Sequence, residues 1–260
     1  MDSLKFIMRL NATSCISFGL LFTIVPHVIA TFLGGAPKAV ILVLGIGLLA
    51  NGVHLIVASR RRTVSEIEVI WFSLGDFGWW LATLALIAAD LWITTTSGIA
   101  VAVIVATFVA GLGVAQLWTF GLQAHEHTSK QHLRAFVTSW LALPLWVKLW
   151  LVLLNGVFIA AFAFLPERIG EVTLLAYVAT APLLAGQVGY DGGLRRILGL
   201  AHLVSWIPLL AWLILIPERS VYPILLSLTV AICLAFDVND LRLFFQGDRA
   251  VVGKHRSQTA

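Results

Sequence analysis

Apolar residues run through this 260-residue chain in eight long blocks separated by short polar segments, near residues 9–33, 38–59, 67–89, 98–122, 141–165, 169–190, 194–216 and 221–245. A helix needs roughly 20 predominantly apolar residues to cross a hydrocarbon core about 30 Å thick, and every block is long enough. In lipid the backbone must satisfy its hydrogen bonds within the segment, so each block predicts a membrane-spanning helix. The expected fold class is an all-α polytopic membrane helix bundle with eight transmembrane helices.

The second four blocks resemble a degenerate copy of the first four. Leu10-Asn11 falls on Leu154-Asn155, Arg60-Arg61 on Arg195-Arg196, Leu74 and Trp80 on Leu200 and Trp206, and Val114 and Leu117 on Val238 and Leu241. Leucine matches are cheap in membrane helices; the Asn, Trp and Arg-Arg matches are not. Four spans per copy is an even number, so both copies enter the membrane in the same orientation, which predicts a 4+4 parallel internal repeat about an axis along the membrane normal. The organisation expected is a first four-helix repeat over 1–125, a cytoplasmic linker over 126–140, a second four-helix repeat over 141–246 and a cytoplasmic tail over 247–260. The loop from Ala124 to Ser139, with His125, Glu126, His127, Lys130, His132 and Arg134, is expected to be a solvated hinge between the repeats. Gly45, Gly47 and Gly52, Ala102, Ala106 and Ala110, and Gly186 and Gly189 supply small faces for close helix packing.

Composition changes the picture only by excluding alternatives. Sixty per cent of residues are hydrophobic and 12% charged, against roughly 25% charged in soluble domains. A net charge of +4 raises the question of nucleic acid, but the placement of the charges answers it. With the N-terminus in the cytoplasm, fourteen basic residues fall on the cytoplasmic side (Lys5, Arg9, Arg60, Arg61, Arg62, Lys130, Arg134, Lys148, Arg195, Arg196, Arg242, Arg249, Lys254 and Arg256) and three on the other (Lys38, Arg168 and Arg219). That asymmetry orients a bacterial-type inner-membrane protein with both termini cytoplasmic, and it makes the lipid bilayer, not nucleic acid, the partner of the basic residues. Lys5 and Arg9 before an apolar run imitate a secretory signal, but the run has a counterpart in the second copy and is expected to be a retained helix. Cys15 and Cys233 both lie inside spans and predict neither a disulfide framework nor a cysteine-based metal site.

Chemistry must then come from the few polar side chains inside the blocks. On this topology Asn11, Asn51, His54, Asp76 and Gln116, and in the second copy Asn155, Gln187, His202, Asp237, Asn239 and Asp240, fall in the cytoplasmic half of the membrane. An ionisable group at the centre of a span costs roughly 2.5–3.5 kcal/mol even on lenient insertion scales, which marks it as a functional candidate. Asp76 sits in Ser73-Leu74-Gly75-Asp76-Phe77-Gly78-Trp79-Trp80 and aligns with His202. The two are expected to form a buried acid–imidazole pair, either handling a proton or pinning the two copies together. Asp237 and Asp240, three apart, share a helix face and have the chemistry to hold Mg²⁺; pairing with Arg242, Arg195 or Arg196 is the plainer expectation. His54 and His202 raise a haem reading, and His125, His127 and His132 a metal on the linker, but the residues point to no definite metal site or cofactor. Trp79, Trp80, Trp206 and Trp212 lie too deep for an interfacial belt and either wall a cavity or pack the core.

No phosphate-binding loop, His-Glu-x-x-His or Gly-x-Ser-x-Gly occurs, so ATP hydrolysis by this chain alone does not drive any transport. The leading expectation is passage or proton-coupled transport of a small solute through a cavity between the repeats. Its pathway would be lined by Asp76, His202, His54, Asn51, Asn11, Asn155 and Asp240. The alternatives are a membrane-embedded enzyme acting on a lipid or isoprenoid, and a non-catalytic subunit or assembly factor bound to a membrane-protein partner or to its own copies.

Overall fold

The computed structural model describes residues 3–217 and 220–253. Arg219, Lys254 and Arg256, counted in the charge asymmetry, lie outside the described residues, as does the end of the 247–260 tail. The described chain is helical: α1 (Ser3–Ile24), α2 (Pro26–Leu33), α3 (Lys38–Arg60), α4 (Glu66–Ala88), α5 (Thr96–Ala124), α6 (Ser129–Leu141), α7 (Leu145–Ile159), α8 (Arg168–Asp191), α9 (Gly199–Leu215) and α10 (Val221–Phe245), with 3₁₀ turns at Ala160–Phe164 and Arg196–Leu198. Eight of these segments are long and apolar enough to cross a membrane: α1, α3, α4, α5, α7 with its 3₁₀ extension, α8, α9 with its preceding 3₁₀ turn, and α10. They match the eight apolar blocks. Their outward faces agree, since large side chains such as Val152, Leu215 and Val221 stand exposed, far beyond the apolar patches a soluble monomer presents.

Two features depart from the pattern. The first block, expected as one helix over 9–33, begins at Ser3 and breaks at Val25. Pro26 occupies the first turn of α2, where its missing N–H costs nothing, whereas inside a continuous helix it would remove a hydrogen bond. The linker, expected as a loop, is largely the helix α6. Thr128 caps it, its hydroxyl accepting from the Gln131 N–H while the Gln131 side chain accepts from the Thr128 N–H, a reciprocal box that satisfies two otherwise orphaned donors. Its faces are sorted by chemistry. His132 and Ser139 are buried against the protein, whereas Leu133, Val137, Trp140 and Leu141 form an exposed apolar stripe.

The chain divides into two compact units, Met1–Phe120 and Gly121–Ala260. In the first unit, glycines set the approach of α1 to α3. A Cβ on Gly19 would lie 2.8 Å from the Leu49 side chain, and one on Gly52 would lie 3.1 Å from the Ala12 carbonyl. Gly45 packs likewise on Phe22 and Thr23, but Gly47 faces open space and is no part of the contact. The second unit is built on an aromatic core in which Phe158 stacks between Tyr177 and Trp206, with ring centroids 5.0 and 4.5 Å apart. Leu209, Leu213, Leu226 and Val230 close around it. Within this unit α6 is tied to the end of α8: His132 Nε2 donates to the Gly189 carbonyl at 2.6 Å, and the Leu194 N–H donates to Ser139 Oγ at 3.0 Å. Gly192 ends α8 at φ +66° and lies against the His132 ring, a left-handed position that favours glycine.

Candidate functional site

Asp76 lies ten residues into α4, roughly 15 Å from its start at 1.5 Å per residue, and is 3% exposed. Two fully buried amides converge on a single carboxylate oxygen: Asn11 Nδ2 from α1 and Gln116 Nε2 from α5 each donate to Asp76 Oδ2 at 2.8 Å. The network continues through sulfur. The Cys15 thiol donates to Asn11 Oδ1 and accepts from Asn51 Nδ2 of α3, both at 3.6 Å. One chain of polar groups, Asn51–Cys15–Asn11–Asp76–Gln116, therefore touches all four spans of the first unit. Gly113 makes room for it, since a Cβ there would lie 3.0 Å from Asp76 Cβ, and its carbonyl accepts the Ser73 hydroxyl at 3.2 Å.

Two details give the site chemical direction. Gln116 Oε1 is buried and finds no donor among the described residues, and an unmet buried acceptor costs about 1–3 kcal/mol. Asp76 also lines a cavity of about 50 Å³ with Ser14, Cys15, Phe18, Leu48, Gly75, Trp79, Val105 and Val109. That is ample room for water beside the carboxylate. Trp79 is a cavity wall; Trp206 is core, buried against Phe158.

The other expected pathway residues separate into distinct clusters. His54 lies beside Glu68 at 3.3 Å, and Glu68 also accepts from Arg61 at 2.7 Å; the His54 ring is edge-on to Phe72 and its side chain is 44% exposed. It belongs to an ionic cluster joining α3 and α4. Asn155 donates to the Leu151 carbonyl and accepts from the Tyr177 hydroxyl, bracing α7 against α8. Asp240 pairs with Arg196, which also holds Asp248 at 2.9 Å; it makes an ion pair, the plainer of the two expectations for it. His202 contacts Asp237 Oδ2 through Nδ1 at 3.1 Å and stacks on Trp206 with centroids 4.2 Å apart. Asp76 and His202, expected to pair with each other, thus each hold partners inside their own unit.

The chain matches no protein family, no curated protein and no solved structure. What the molecule does must be argued from these side chains.

Reasoning from sequence assigned Cys15 and Cys233 no part in a site and did not single out Glu68. The cysteines had a signal: Cys15 follows Asn11 by four residues and Asp237 follows Cys233 by four, one helical turn, which puts each thiol beside a polar group. Glu68 was hidden by its place at the start of a span, where a carboxylate is ordinary.

Proposed function

We propose that this chain is a proton-coupled transporter of the cell inner membrane, in which Asp76 takes up and releases the proton that accompanies a small solute. The observation that carries the proposal is the Asp76 carboxylate itself, deep in a span, hydrogen-bonded by neutral amides and bordering a cavity with room for water. A charge so placed is costly and a structural hydrogen bond does not require one.

The orientation of Gln116 supplies a means of coupling. With Asp76 ionised, Gln116 Nε2–H meets the carboxylate and Oε1 is left without a donor. A protonated Asp76 carries an O–H that needs an acceptor, and rotating the Gln116 amide by half a turn presents Oε1 to it. Each protonation state thus favours one amide orientation. Because the same network runs through Asn11 and Cys15 to Asn51, a proton at Asp76 acts on contacts among four helices, and that converts local chemistry into helix movement.

The internal duplication expected from the sequence draws attention to the same crossing of helices. On the sequence alignment, Ser73 corresponds to Gly199, Asp76 to His202 and Gly113 to Asp237. Ser73 and Asp76 touch Gly113 in the first unit; Gly199 and His202 touch Asp237 in the second. The corresponding positions meet, with the carboxylate contributed from the opposite helix. Cytoplasmic termini follow from the charge asymmetry.

The test is transport in proteoliposomes containing a pH-reporting dye and challenged with amino acids, sugars and organic acids. Wild-type protein is expected to acidify the lumen with at least one solute class, and Asp76→Asn, which keeps the shape and both amide neighbours, is expected to abolish it. Equal acidification by the folded Asp76→Asn variant would refute the proposal.

A further inference from the structure

We infer that His202, Cys233 and Asp237 in the second unit form a binding site for a d-block divalent cation of the Zn²⁺ type. The inference is independent of the role proposed for Asp76. One ligand atom from each of the three residues lies within 4.8 Å of the other two. His202 Nδ1 is 3.1 Å and Cys233 Sγ 3.5 Å from the same oxygen, Asp237 Oδ2. With Zn–N, Zn–O and Zn–S distances of about 2.0–2.3 Å, the edges of a tetrahedron come to about 3.4 Å for N···O and about 3.6 Å for S···O. Both edges that meet at Asp237 Oδ2 therefore already stand within a few tenths of an ångström of a coordinating geometry. The third edge, from Nδ1 to Sγ, lies within 4.8 Å and closes toward about 3.6 Å when the ion is bound.

The donor set is selective by its chemistry. A thiolate and an imidazole disfavour Mg²⁺ and Ca²⁺, which take oxygen ligands, and suit Zn²⁺ and its neighbours. Three protein ligands leave the fourth position open, as in zinc sites that exchange a ligand and unlike closed structural ones. The surroundings hold the ligands in place. The His202 ring lies nearly parallel to Trp206, at 13°, and the Trp206 indole N–H donates to the Ala176 carbonyl at 3.2 Å. Gly199 admits the carboxylate, since a Cβ there would lie 2.7 Å from Asp237 Oδ1. Cys233 and Asp237 are one turn apart on α10, and His202 is on α9, so the ion would join two adjacent spans.

Without metal the same groups satisfy one another, the thiol donating to Asp237. Metal entry replaces that hydrogen: the S–H bond breaks, the sulfur's electron pair binds the cation and one proton leaves to solvent. In the metal-free contact Nδ1 carries the hydrogen it shares with Asp237. To bind the cation the neutral ring loses that proton and takes one up at Nε2, which frees the Nδ1 lone pair and releases no net proton.

Co²⁺ serves as the probe, added to the full chain in detergent without a polyhistidine tag. The expected result is a near-ultraviolet thiolate-to-cobalt charge-transfer band that saturates at one cobalt per chain, with one proton released and reversal by Zn²⁺. Cys233→Ser is expected to abolish the band. Asp237→Asn is expected to weaken affinity by more than the roughly 10–100-fold that losing a residue behind a ligand costs, and Cys15→Ser to change nothing. No band from the folded wild-type chain overturns the site, as does a band that survives Cys233→Ser or disappears with Cys15→Ser. The wild-type titration alone decides the matter if a variant fails to fold.

Discussion

Single side chains set the spacing on which both polar clusters depend. Gly113 lies so close to Asp76 that a Cβ there would stand 3.0 Å from Asp76 Cβ, and a branched side chain needs its neighbours to shift. Gly113→Val is expected to destabilise the folded chain by about 1–3 kcal/mol, the usual cost of overpacking, and to lower Asp76-dependent transport; denaturant titration in detergent measures the first. In the second unit, Phe158→Ala removes a fully buried ring from between two aromatic neighbours and is expected to cost about 3–5 kcal/mol by the same assay. At this scale the sequence singled out the polar residues inside the spans and was poor on whom they touch. Asp76, Asn11 and Asn51 stand out because polar groups are expensive in a span, and all three belong to one network. His54 and Asp240 stand out for the same reason but are consumed by Glu68 and Arg196. Depth follows from counting residues; partners follow from helix rotation, and an almost wholly apolar span has no polar stripe to reveal its rotation.

Among the elements, the spans were legible because length and hydrophobicity alone specify them. Pro26 marked the break in the first block, though the continuous apolar run concealed it. The helix α6 was obscured by its charges, yet its pattern is amphipathic: Leu133, Val137 and Trp140 share one face. An exposed stripe of this kind next to a membrane span fits a helix lying in the interface. Spin labels at Leu133 and Val137 are expected to collide preferentially with lipid-soluble oxygen, and labels at Gln131 and Thr138 with an aqueous relaxant. Preferential aqueous collision at all four positions would show α6 standing free in water. Loss of its cap in Thr128→Ala is expected to cost about 1 kcal/mol of stability.

For the whole molecule, the topology we propose follows from eight spans, which would put both ends on one side of the membrane, and from the distribution of Lys and Arg, which would make that side the cytoplasm. Cysteines introduced singly at Arg62, Lys130 and Arg249 are expected to resist an impermeant maleimide applied to intact cells, and cysteines at Lys38 and Glu167 to react; Cys15 and Cys233 are buried and give little background. The reverse pattern would invert the topology. Each unit gathers one aspartate and one cysteine into a polar cluster, but with different neighbours: neutral amides around Asp76, an imidazole and a thiol around Asp237. If the units share an ancestor, they have diverged toward proton chemistry in one and metal chemistry in the other. The most direct test of the first is an infrared difference spectrum across a pH jump, recorded on wild-type, Asp76→Asn and Gln116→Leu protein in lipid. The account predicts a carboxylic C=O band in the wild type that is missing from Asp76→Asn and shifted in Gln116→Leu, whereas identical spectra from all three would contradict it.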